Sequence, residues 1–201
     1  MIDMLLKPLH GSIAVLCIAM LLGLPAPAAE PADKDRSPDR PPPAGAHAAS
    51  QCTEASRCPL FDEVYAATPA FRHALSLSLR HGDQVVPEWV KAKLPDRRQR
   101  GDTPPPTTAS AMLPLRIDDR PYVLGRMTDP ENPAHLIVAL YDTQRGFATV
   151  HYVDKDGKAA LLGDTTEILR KVMLDYVNAE SAFARSLARP DVALPVPVTS
   201  H

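Results

Sequence analysis

His73 and His81, the Asp118-Asp119 pair, the Asp154-x-Asp156-Gly157 run and the cysteines are the side chains that could do chemistry. The two histidines are eight positions apart, which puts them near one helix face but two turns distant. A zinc site wants further ligands close by, so these read as surface histidines. Asp154, Asp156 and Gly157 start like a calcium loop, but the third acidic position and the closing glutamate are missing. A hairpin turn with Gly157 at positive φ accounts for the same residues. Asp118 and Asp119 could pair as carboxylates, and a tight turn explains them more simply. The chain has no Gly-x-Ser-x-Gly elbow, no His-Glu-x-x-His pair and no phosphate-cradling glycine loop. With no nucleophile, base or metal set in one constellation, it reads as a binding protein that needs no cofactor.

The cysteines bear on compartment. Lys7 precedes an apolar run over residues 13–24, followed by Pro25-Ala26-Pro27-Ala28-Ala29. A basic start, a short apolar stretch and small residues at a cut site predict an export signal cleaved after Ala28. The run is shorter than the roughly 20 residues that cross a bilayer, so no membrane insertion is expected after cleavage. Cys17 leaves with the signal, and Leu16 before it is a poor lipidation signature. The remaining pair, Cys52 and Cys58, reads as a disulfide in an oxidising compartment. Closing so short a loop stabilises by about 2 kcal/mol in the chain-entropy view. His47 alone does not complete a metal set around them.

The framework that must position any site is one domain. The chain has 201 residues, 45% of them hydrophobic, and a formal net charge of -2 with both signs mixed. That is enough apolar content for a packed core, and no basic block invites nucleic acid. The expected divisions are the signal at 1–28, a disordered Pro/Ala-rich linker at 29–51, a folded domain at 52–189 and a flexible tail at 190–201. Pro195 and Pro197 argue against a regular ladder in the tail.

Within the domain, Thr68 and Pro69 suit a helix start, and Phe71, Ala74, Leu75 and Leu79 follow at helical spacing until Gly82. A short helix is expected from Pro87, carrying Trp89 and Val90, and residues 97–106 read as loop. Leu113, Leu115 and Ile117 alternate as one strand face. Further strands are expected at 122–124, 136–141, 147–153 and 158–162. The 136–141 segment is apolar on both faces and therefore central. Short turns between them imply antiparallel neighbours. Asp164 with Glu167 predicts a capped long helix whose stripe is Leu169, Val172, Met173, Tyr176, Phe183 and Leu187. That stripe suits the sheet or a second copy of the chain, which leaves a homodimer open. The fold class is α+β, a curved antiparallel sheet of about five strands flanked by helices.

Several segments, in order, resemble the inhibitor of vertebrate lysozyme (Ivy) family. They are Val86-Pro87-Glu88-Trp89-Val90, a Pro/Thr-rich stretch, and Ile117-Asp118-Asp119-Arg120-Pro121-Tyr122-Val123-Leu124-Gly125. Leu136-Ile137-Val138-Ala139-Leu140, Arg145-Gly146-Phe147 and Leu162-Gly163 follow. The resemblance spans roughly residues 61–174 and implies a periplasmic α+β protein whose partner is a lysozyme or a lytic transglycosylase. It also implies a rigid loop, Cys-Lys-Pro-His-Asp-Cys in characteristic members, that plugs the partner's cleft. Here the corresponding loop is Thr128, Asp129, Pro130, Glu131, Asn132 and Pro133, without the cysteines or the histidine. Pro130 and Pro133 could stiffen it in their place. Glu131, at the histidine position, is unfavourable toward a carboxylate-lined cleft, and Asp129 adds to it. Two like charges about 5 Å apart at an effective dielectric of about 20 repel by about 3 kcal/mol. His135 follows the loop, two to three positions too late for the family role. A scaffold of the same kind without the plug would be an envelope interaction protein, binding through the stripe around Tyr176 or an exposed Trp89 region.

Overall fold

The computed structural model describes residues 45–95 and 108–199. The expected export signal, most of the expected proline linker and the loop expected at 97–106 lie outside the described residues.

A five-stranded antiparallel meander forms the middle layer: β1 (Leu113–Ile117), β2 (Arg120–Thr128), β3 (Leu136–Asp142), β4 (Ala148–Val153) and β5 (Ala159–Gly163). The turns explain why consecutive strands pair. Ile117 sits opposite Arg120, so Asp118 and Asp119 alone make the β1–β2 turn, at φ 44° and 64°. Two positive φ values match the right-handed strand twist, and Asp tolerates them better than most residues. At β4–β5 the Asp154 carboxylate accepts hydrogen bonds from the Asp156 and Lys158 amides, and Gly157 adopts φ 80°. That carboxylate is consumed by its own turn.

A sixth strand, β6 (Val196–Val198), lies parallel to β1 at the sheet edge, giving the order β5-β4-β3-β2-β1-β6. The tail was expected to carry no ladder. An edge strand needs donors and acceptors on one side only, which is how Pro197 is accommodated between two valines.

Alternation along β2 and β3 divides the core between the two faces. Val123, Met127, Ile137, Ala139 and Tyr141 face one layer, built from α1 (Ala46–Gln51), α2 (Phe61–Ala67), α3 (Pro69–His81) and α4 (Glu88–Lys91). Tyr122, Leu124, Val138 and Leu140 face the other, built from α5 (Glu167–Val177) and α6 (Ala182–Leu187). Helix α3 buries Phe71, Ala74, Leu75 and Leu79, the residues expected from helical spacing, against β4 and β5. Its approach is close. A Cβ on Gly163, at φ 88°, would stand 2.2 Å from the Ala148 carbonyl oxygen and 2.8 Å from Ser78 Oγ. Only glycine fits there.

Three local expectations change. Helix α1 lies inside the stretch expected to be linker, because Ala46 and Ala49 are small enough to bury against the sheet. The closing helix is broken at residues 178–181, where Ser181 Oγ accepts from the Ala184 amide and starts α6 afresh. Thr166, not Asp164, stands at the α5 N-cap; the Asp164 carbonyl accepts instead from Thr149 Oγ1. Cys52 and Cys58 lie at disulfide distance, with Cα atoms 5.4 Å apart, as their pairing predicts. Among the described residues, no helix is long and apolar enough to cross a membrane.

Candidate binding loop

The β2–β3 connection grows from the last ladder pair, Thr128 opposite Leu136. Its sequence repeats a local unit, Asp129-Pro130 and then Asn132-Pro133. Asp and Asn side chains favour hydrogen bonds to the backbone two residues on, and proline sets φ for the residue between. Both units do this. Asp129 Oδ1 accepts from the Glu131 amide at 3.0 Å, and Asn132 Oδ1 from the Ala134 amide at 3.2 Å. Backbone bonds from Asn132 N to Asp129 O and from His135 N to Asn132 O complete two successive turns, which Asp129 N to His135 O closes. Outside contacts hold the loop as well. Asn132 Nδ2 donates to the Lys155 carbonyl in the β4–β5 turn, and Thr108 Oγ1 donates to the Thr128 carbonyl. Pro130, Glu131, Pro133 and Ala134 remain exposed.

His135 forms the foot of this loop. Its side chain is 12% exposed and stands between Trp89 of α4 and Tyr152 of β4, with ring centroids 5.3 and 5.7 Å away. Nε2 lies 3.0 Å from the Tyr152 hydroxyl. Nδ1 lies 3.2 Å from Asp129 Oδ2 and 3.3 Å from Trp89 Nε1. A carboxylate only accepts and an indole N–H only donates, so the two ask for opposite states of Nδ1. A bond to Asp129 puts the proton on Nδ1, and a bond from Trp89 needs it bare. With the proton on Nδ1, Asp129 accepts from the ring and Nε2 accepts from the Tyr152 hydroxyl. Burial, with Asp154 adding a smaller push, raises the Tyr152 hydroxyl above its usual pKa, which keeps it neutral as a partner.

The expected loop residues are thus brought together, with differing roles. Pro130, Glu131 and Pro133 form the exposed tip. Asp129 turns inward to His135, with its side chain 16% exposed, so Glu131 is the acid displayed at the tip. Trp89, expected on an open surface, is half-buried against the first core cluster and His135. His135 lies two to three positions too late for the family role, and nothing in linear spacing ties it to Trp89, 46 positions away. The repeated Asx-Pro unit, by contrast, is a visible signal of two stacked turns.

The other surfaces are less organised. His73 and His81 stand exposed on α3. Leu174 and Val177 are exposed on α5, and the Tyr176 hydroxyl lies 3.4 Å from Ser110 Oγ. Among the described residues, no three His, Cys, Asp or Glu side chains converge as a metal ion would require. Comparison with protein-family models, curated proteins and solved structures finds no match to this chain.

Proposed function

We propose that this chain is an exported, Ivy-like protein inhibitor of a peptidoglycan-cleaving enzyme, acting by insertion of residues 128–133 into the target cleft. The observation that supports this most directly is the combination of an exposed tip with a braced base. The tip is Pro130, Glu131 and Pro133, and the base is two Asx turns resting on His135. A loop ordered before binding loses less freedom on association, which favours a plug. Two prolines and an internal hydrogen-bond set take over the bracing that a disulfide supplies in the family this sequence resembles.

Charge selects the target. Glu131 at the tip disfavours a cleft lined by two carboxylates and favours one with a basic rim, so a muramidase of that kind or a lytic transglycosylase is the better partner. Purified protein should slow the lysis of a cell-wall suspension by at least one enzyme in a panel of both types. A Glu131→His variant should gain inhibition of C-type lysozyme. Failure to inhibit any panel member, from protein with a normal circular dichroism spectrum, removes the reading. It would favour instead an envelope interaction protein that binds through α5, where Leu174 and Val177 are exposed.

A further inference from the structure

At the opposite end of the sheet, roughly 20 Å from the loop along β2, a cavity of about 560 Å³ opens between α1, the ends of β1–β3 and the β3–β4 turn. Its size falls in the about 300–1,000 Å³ range of small-molecule sites. Tyr141 lines it. This side chain is 4% exposed, and its ring lies against Phe71 with centroids 5.2 Å apart. Its hydroxyl bonds to no other described residue and is reachable from the cavity, so it is available to a ligand there. Burial raises its pKa, so the group stands as a neutral donor and acceptor. Gln51 from α1 and Gln144 from the turn line the same space, each with a side-chain amide that can both donate and accept.

We propose that this cavity binds a neutral saccharide of one to three rings. A sugar presents hydroxyls that donate and accept on a ring with apolar faces. The phenol and two amides match the first feature, and the Pro114 and Pro121 surfaces match the second. An apolar ligand would leave the polar lining unpaired, which is unfavourable. The ionisable groups on the lining, Asp119 with Arg116 and His47, are of both signs, so they select neither a polyanion nor a polycation. The site does not depend on the inhibitor reading, because loop and cavity occupy opposite ends of β2.

The test is a titration of isotope-labelled protein with tri-N-acetylchitotriose, maltotriose and citrate, followed by amide chemical shifts. One of the sugars should give saturable shifts confined to Tyr141, Thr143, Gln144 and α1. Tyr141→Phe should weaken that binding about 2- to 10-fold, the range for loss of one neutral hydrogen bond. Gln51→Trp, a change at an exposed position, should block it by filling the mouth, and it decides the matter if the Tyr141 variant folds poorly. Saturable shifts with citrate alone, shifts elsewhere, none with either sugar, or undiminished binding by folded Gln51→Trp protein would each overturn the proposal.

Discussion

His151 is the clearest single-residue liability in the molecule. It sits on β4 between Val138 and Leu161 of the neighbouring strands, on the face that packs against α5. Its Nδ1 is buried with no partner among the described residues. Burial lowers its pKa below the usual 6.5, because the charged ring is less well solvated there. The unfolded chain therefore takes up a proton that the folded one resists as pH falls through about 6.5. Stability from this group is full above that pH and is lost progressively below it. Urea unfolding at pH 7.5 and pH 5.0 should show a fall in stability for the native sequence and a smaller fall for His151→Leu. An equal fall in both proteins would place the pH dependence elsewhere. Leucine should also raise stability at pH 7.5 by about 1 kcal/mol, since an unpaired buried polar atom costs on that order.

At the scale of elements, the loop at residues 128–133 owes its shape to contacts that sequence shows unevenly. The strands and their turns were legible because alternation, central apolar runs and Asp/Gly turn residues are local signals, and the β1–β2 and β4–β5 turns follow them closely. Helix α3 was legible for the same reason, from Pro69 to Gly82. Strand β6 was not, because two prolines are a local argument against a ladder and its partner β1 is about eighty residues away. Helix α1 was hidden by alanines that carry no amphipathic signal yet bury well. In the loop, the Asx-Pro repeat announces turns, but the Trp89–His135–Tyr152 cluster exists only once α4, the loop and β4 have met. This cluster, more than the prolines, ties the loop to the core. His135→Ala should lower the melting temperature by a few degrees, since the ring is mostly buried between Trp89 and Tyr152. It should speed amide exchange at Asp129, Asn132 and His135 about tenfold or more, as the turns lose their foot. Unchanged exchange at these three amides would show that the Asx turns stand alone.

At the scale of the whole molecule, one central sheet serves two helical layers, and the Cys52–Cys58 segment is where the chain passes between their cores. Ala46 and Ala49 of α1 belong to the cluster shared with α2 and α3, whereas Cys58 is buried with Leu113, Leu187 and the α5 residues, and Cys52 packs beside it. Directly after, Pro59 O accepts from the Met112 amide and Phe61 N donates to the Ser110 carbonyl, which anchors the start of α2 to the strand segment before β1. A crosslink closing this loop holds α1 in place from the far side of the sheet edge. The loop is short, so the chain-entropy contribution is about 2 kcal/mol. In a domain of this size, that corresponds to about 4–8 °C in melting temperature. Reduction, or the Cys52→Ser/Cys58→Ser pair, should lower the melting temperature by that amount and expose the α1 amides to exchange. The loop at 128–133, braced by His135 at a distance, should keep its protection. If reduction left both α1 exchange and melting unchanged while thiol labelling showed Cys52 and Cys58 both free, the two cores would be joined by β1 and the Pro59–Phe61 bonds alone.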